Sequence, residues 1–257
     1  EIPLRLVGSE MCIRDSLYAL SNIVELKNKN KDIHITCISM GSLKAKNVLI
    51  RCRAIGADDV ILLSDEAFAG SDTYATIYIL EQAIKKIGCF DIIVCGKKAV
   101  DGETGQVGYG LAYRLGVDCF TQVNEILEVN GKNDISTFGN EIPDNKYSGT
   151  ITFSHINEEN EETIKTPTPV MLIFGPFMTQ KNISLLCLKR SIKKPVTVWD
   201  HDTLNSEVSL CGLKGSKTKV LNVKSMMDKK ENVVLEGTID EKAEQFLRIL
   251  KIEEIKK

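Results

Sequence analysis

The stretch Asp91–Leu115, DIIVCGKKAVDGETGQVGYGLAYRL, decides how the rest of the chain is read. It opens on Ile92, Ile93 and Val94, a short apolar run of the kind that fills a buried parallel strand. A polar loop follows, in which Asp101, Gly102, Glu103, Thr104 and Gly105 stand where a helix should begin; Gly108 and Gly110 fall in or beside its first turns. The first amides of a helix have no partner within it and lie at the positive end of its dipole, so a phosphate or pyrophosphate is stabilised there. Glycines lack Cβ atoms and let that backbone approach a ligand closely. The spacing of Gly102, Gly105 and Gly108 is G-x-x-G-x-x-G, which is neither the dinucleotide pattern G-x-G-x-x-G nor the P-loop. Local pattern alone therefore leaves a second account open, in which Gly102 only turns the chain and Thr104 only caps the helix.

Outward from this stretch, strands and helices alternate. Leu20, Ile23, Val24 and Leu26 give an apolar side to a helix over Leu17–Lys31, and Ile33–Ile38 reads as a strand ending at Met40-Gly41. Ser42 is expected to cap a helix carrying Leu43, Val48, Leu49 and Cys52, which Gly56 stops. Asp59–Leu63 is a strand, 67–72 a loop, and Tyr74, Ile77, Tyr78, Leu80, Ala83, Ile84 and Ile87 mark an amphipathic helix ending at Gly88. Repeated β-α units predict an α/β fold with a doubly wound, mostly parallel, Rossmann-like sheet. Its loops after Ser39, Leu63 and Cys95 meet at the carboxyl ends of the strands, where such sheets bind ligands. Gln122–Val129, Asn130-Gly131, Thr137–Phe138 and Tyr147–His155 predict a small antiparallel section; Val170–Phe174 and Val196–Trp199 return to the main sheet. Past Asp200 apolar residues thin out and lysines accumulate, with a helix near Asp240–Leu250. This predicts an α/β domain over 17–200 and an arm over 201–257 that lies on a partner.

With 257 residues the chain can bury a substantial core, and its formal charge of −2 supplies no basic field for nucleic acid or anionic membrane. No apolar run reaches the length of a membrane span. The 8 cysteines contain no C-x-x-C pair and the 3 histidines are dispersed, so zinc-type spacing is absent. Buried thiols of a reducing, cytoplasmic compartment account for them.

In order and spacing, Gly96–Gly108, GKKAVDGETGQVG, resembles the nucleotide-binding signature of the electron transfer flavoprotein beta subunit. Ile38–Gly41, Ala54–Asp58, Leu62–Asp65, Ala69–Thr73 and Gly212–Ser216 resemble further blocks of that family. The resemblance runs from about Leu17 to the carboxyl end and is weaker between Thr121 and Lys194. It implies a heterodimer with an alpha subunit that holds a redox-active FAD, and a second nucleotide on this chain. That nucleotide is a structural AMP in respiratory members and FAD in flavin-bifurcating members of anaerobes. The loop Asp101–Gly108 is similar to the bifurcating type, which favours FAD, with AMP as the alternative. By the same resemblance Met40, Gly96 and Ala99 line the adenosine end. Gly102, Glu103, Thr104, Gly105, Gln106 and Val107 surround the phosphates, and Asp101 takes a ribose or helix-start role. The cofactor would carry the electrons, between NADH or an acyl-CoA dehydrogenase and another redox partner, so no catalytic side chain and no metal is expected. The resemblance also places a dehydrogenase-docking leucine at Leu185, although ordinary packing of Leu185, Leu186 and Leu188 explains the same pattern. Glu1–Ser16 matches neither the opening strand and N-P-x-D-like loop of the family nor a signal peptide, and reads as a foreign junction. A plain adenine-nucleotide-binding module of universal-stress type, without electron transfer, is the competing reading.

Overall fold

The computed structural model describes residues 14–30, 32–98, 104–131, 149–157, 160–175, 183–220 and 234–254. Two compact units are present, Glu1–Lys219 and Val220–Lys257. In the first unit, α1 (Arg14–Lys29) precedes β1 (Thr36–Met40), α2 (Lys46–Ile55), β2 (Asp59–Leu63), α3 (Thr73–Ile87), β3 (Ile92–Gly96) and α4 (Val107–Leu115). There follow β4 (Asp118–Gly131), β5 (Gly149–Ile156), β6 (Glu161–Pro167), β7 (Val170–Phe174), α5 (Leu185–Ile192), β8 (Thr197–Trp199), α6 (His201–Leu204) and α7 (Gly212–Gly215). The second unit holds α8 (Ile239–Glu254).

The α/β class is as the alternation predicts, but the strands pair as two sheets. One has the order β1-β2-β8 and is parallel; the other is β3-β7-β4-β5-β6, parallel across β3, β7 and β4 and antiparallel through β5 and β6. Alternation along the strands shows that both sheets lie in one layer. Val60 and Leu62 join the cluster under α1 and α2, whereas Ile61 and Leu63 face α3. Val170, Leu172 and Phe174 likewise face α1, and Met171 and Ile173 face α4. Helix α1 spans the break on one side, with Leu17 and Leu20 over the first sheet and Ala19 and Leu26 over the second. Helix α3 spans it on the other, through Ile79 and Ala83 to the first sheet and Ile77 and Ile84 to the second. The strands at the break, β1 and β3, are half-buried along their whole length, whereas β7 is buried throughout.

Sequence signals set most element ends. Gly56, at φ 147, closes α2, and Gly116, at φ 67, closes α4 in the left-handed conformation that glycine tolerates. Ser42 stands before a 3₁₀ turn and makes no side-chain cap bond, so its expected capping role is corrected. Helix α1 begins at Arg14, within the segment read as foreign, and 1–13 lie outside the described residues. Thr137 and Phe138 lie outside them as well. The segment 201–219, counted with the arm in the sequence reading, belongs to the first unit. We refer to it as the strap.

Candidate functional site

The carboxyl ends of the parallel strands form two short rows, Met40, Leu63 and Trp199 on one sheet and Gly96, Phe174 and Val123 on the other. Met40 and Gly96 are the final residues of the two strands that border the break. From β1 the chain winds outward to β2, and α3 then carries it across to β3 and into the second sheet. The chain thus changes sheets across the break, between β2 and β3; in open α/β folds such reversals of strand order, the switch points, are where ligands bind.

Two helix starts meet beside it. Thr73, first residue of α3, has its hydroxyl 3.5 Å from that of Thr104, which precedes α4. Helix α3 is capped: Asp72 Oδ1 accepts from Ala75 N at 3.0 Å. Among the described residues α4 has no such partner, since Gln106 at its N-cap makes no side-chain cap bond. Its first intrahelical bond runs from Gly110 N to Gln106 O at 3.0 Å, so by helix geometry the amides of Val107, Gly108 and Tyr109 point out of the start. Thr104 and Gln106 are exposed, Gly105 and Val107 half-buried. Gly105 has φ +61, and a Cβ there would lie 3.5 Å from Lys97 O, an ordinary contact distance. Hydroxyls, first-turn amides without a side-chain partner among the described residues, and a glycine at positive φ fit a phosphate group.

Of the predicted site residues, Met40 and Gly96 end β1 and β3, and Thr104, Gly105, Gln106 and Val107 lead into α4. Ala99, Asp101, Gly102 and Glu103 lie outside the described residues. The later glycines have a different purpose from the one their spacing suggests. A Cβ on Gly108 would sit 2.7 Å from Ile173 Cδ1 and 2.9 Å from Cys95 Sγ, and one on Gly110 would collide with Ile77 Cδ1. They let α4 settle onto the sheet and against α3. Glu81 of α3 locks the same apposition, accepting from Lys85 at 2.8 Å and from the Arg114 guanidinium, which also lies over the rings of Tyr74 and Tyr78. Burial pushes the Glu81 carboxyl up, but Lys85 and Arg114 overcome it and hold the group below the usual carboxylate range.

Sequence reading left the support beneath the site unassigned. Asp72 Oδ2 accepts from Lys217 N at 2.7 Å, Thr218 N at 2.9 Å and Thr218 Oγ1 at 3.0 Å, while its own amide donates to Ser216 Oγ at 2.8 Å. Asp65 fastens the other end of the strap: Oδ2 accepts from His201 N at 3.0 Å and meets His201 Nδ1 at 2.7 Å, and Oδ1 takes Ala67 N at 2.8 Å. Between these points Leu213 N donates to Ala69 O at 3.1 Å, and Gly212, at φ +55, lies so close to Ala67 O that a Cβ would overlap it. Burial raises the Asp72 carboxyl, and the bonds from Ala75, Thr218 and Lys217 together bring it below the ordinary range. The cap was legible as an acid directly before an apolar-periodic helix. Its partners lie 145 residues away and leave no local trace.

The described cysteines are free thiols, and burial, with the field of Cys119, pushes Cys95 up to about 12, so it is an inert core thiol. No group of three or more His, Cys, Asp or Glu among the described residues is placed to hold a metal. No helix among them is long and apolar enough to cross a membrane. Leu185 and Leu186 are 75% and 68% exposed, which removes them from the packing account; Leu188 is half-buried. Thr179, Gln180, Lys181 and Asn182, the turn before them, lie outside the described residues.

Fold and edge together define an α/β protein with parallel strands and helices on both faces. Residues 11–200 match the family described as electron transfer flavoprotein domain. The chain is 32% identical over 240 residues to the electron transfer flavoprotein subunit beta of Clostridium acetobutylicum, covering 93% of this chain and 85% of that one. It is 30% identical over 225 residues to the caffeyl-CoA reductase-Etf complex subunit CarD of Acetobacterium woodii, covering 87% and 79%. A third relative is the acryloyl-CoA reductase electron transfer subunit gamma of Anaerotignum propionicum, 31% identical over 242 residues, covering 91% and 83%. The chain belongs to the electron transfer flavoprotein family and is similar to its beta subunits.

Proposed function

We propose that this chain is the beta subunit of a cytoplasmic electron transfer flavoprotein and holds an adenine nucleotide, FAD in preference to AMP, at the carboxyl edge of the divided sheet. The observation that carries the reading is the open start of α4 at the switch point, with the Thr73 and Thr104 hydroxyls beside it. Amides of the first turn of α4 and the Thr104 hydroxyl would hold the phosphates, Gln106 would add a donor, and the lack of a side chain at Gly105 would admit them. Met40, Gly96 and Ala99 would line the adenosine end, with Gly102, Glu103 and Val107 around the phosphates and Asp101 at the ribose. When bound, the flavin supplies the electron transfer; the protein orients it and shields it from water. The alpha subunit would complete the heterodimer, with the arm of the second unit lying on it. The exposed Leu185–Leu186 pair would offer an acyl-CoA dehydrogenase an anchor.

Relatives named for caffeyl-CoA and acryloyl-CoA reductases support an acyl-CoA-linked role, and the likeness of Asp101–Gly108 to the bifurcating type of loop favours bifurcation. The test is coexpression with an alpha subunit and a count of flavins per heterodimer. Two flavins support FAD on this chain and bifurcation; one flavin plus AMP supports the respiratory arrangement. Nucleotide binding by the chain alone, with no reduction of a dye or dehydrogenase by the heterodimer, would favour a plain binding module and overturn the electron-carrier reading.

A further inference from the structure

The Asp72 carboxylate serves two elements with separate atoms. Oδ1 caps α3 through Ala75 N, and Oδ2 receives all three donors from Lys217 and Thr218 at the end of the strap. The next residue along the chain, Thr73, is the one whose hydroxyl meets Thr104 at the start of α4. We propose that Asp72 is a positioning residue that couples the strap to the nucleotide site: seating of the strap fixes the start of α3, which sets Thr73 against Thr104. This rests on the nucleotide reading given above. Coupling of this kind is reciprocal, so a ligand that orders Thr104 must tighten the strap by the same factor by which the strap tightens the ligand.

The atom assignment makes one substitution selective. Asp72→Asn keeps an oxygen for Ala75 N and replaces the other with an NH₂ group, which cannot accept from Lys217 N or Thr218 N. Hydrogen exchange and binding are measured on the full chain, alone and with an alpha subunit, using AMP and FAD as probes. Nucleotide should slow exchange of the Lys217 and Thr218 amides. Asp72→Asn should abolish that slowing and lower nucleotide affinity about fivefold or more, with the Ala75 amide still protected. Ser216→Ala and Thr218→Val leave the cap of α3 untouched and should give smaller losses in the same direction, which keeps the test decisive if the Asp72 variant folds poorly. If nucleotide binds but the strap amides do not respond and the variants bind as wild type, the coupling is overturned and the site stands. If wild type binds neither nucleotide, alone or with the alpha subunit, the site reading itself falls and takes the coupling with it.

Discussion

Helices α3 and α4 lie side by side and begin at the same place, yet their starts are treated in opposite ways. The start of α3 is capped: Asp72 accepts from Ala75 N and holds the strap besides. The start of α4, among the described residues, has no side-chain cap bond from its N-cap residue Gln106. Propensity does not explain the contrast, because both helices are short amphipathic segments with apolar residues against the same layer. A helix start that structure alone must stabilise acquires a carboxylate, and one that a ligand stabilises is left open.

The comparison breaks most visibly at Asp72. Asp72→Ala removes the cap and both strap amide bonds at once, the Ala75 bond part-buried and the Lys217 and Thr218 bonds exposed. A cap contributes about 1 kcal/mol and charge-assisted bonds about 1.5 kcal/mol or more each, less where water reaches them, so a loss of roughly 3 kcal/mol is expected. For a chain of this size that is a fall of about 6–12 °C in thermal midpoint by calorimetry. The glycines come next. Gly110→Ala forces Ile77 aside between α3 and α4, and an overpacking cost of roughly 2 kcal/mol exceeds the helix-propensity gain of about 1 kcal/mol. Gly105→Ala puts its Cβ at an ordinary contact distance of 3.5 Å from Lys97 O and costs about 1 kcal/mol for its left-handed φ, but it should weaken nucleotide binding, which Gly110→Ala should do less. Equal effects of the two substitutions on affinity would remove the distinction between packing and ligand glycines.

Much of this arrangement was readable in advance. Uninterrupted apolar runs such as Val170–Phe174 announced parallel strands, and the periodicity from Tyr74 to Ile87 gave α3 nearly to the residue, because both patterns follow from local geometry. The break between β1 and β3 was not readable. Cys37, Ile38, Ile93 and Val94 are as apolar as residues of a central strand, and composition does not record which neighbour a strand pairs with. Gly108 and Gly110 were misleading for a related reason: a glycine needed for close helix packing is spelled the same as one needed for a ligand. The strap was invisible because its bonds join residues whose separation in sequence is more than half the chain.

A smaller change sharpens the contrast from the α4 side. Gln106→Asp puts a negative charge at the open start and should raise stability by about 0.5 kcal/mol through the helix dipole. The same charge repels a phosphate, so affinity for AMP or FAD should fall while the thermal midpoint of the free protein rises. A gain in stability with no loss of affinity would mean that the ligand does not use this helix start.

The weakest expected effect separates the two ends of the strap by pH. The bond to Asp65 raises His201 above the ordinary imidazole range against the opposing effect of burial, with Asp202 and Asp200 adding their fields. Burial raises Asp65, and the bonds from His201 and Ala67 overcome it, leaving the carboxyl below its usual range. A depressed carboxylate contributes stability above its unfolded value of about 3.9 and loses it as pH falls through the lower folded value; a raised histidine contributes fully below about 6.5 and loses it as pH rises through the higher folded value. The Asp65–His201 fastening is therefore firmest between roughly pH 4 and 6.5 and loosens on both sides. The Asp72 fastening takes its donors from backbone and a hydroxyl, so it weakens only in acid. Hydrogen exchange corrected for intrinsic pH dependence should show the His201 amide opening more readily from pH 6 to pH 9 while the Lys217 amide holds, and His201→Gln should remove that alkaline response. Parallel opening of both amides would mean that the strap leaves as one piece and that its two carboxylates do not act independently.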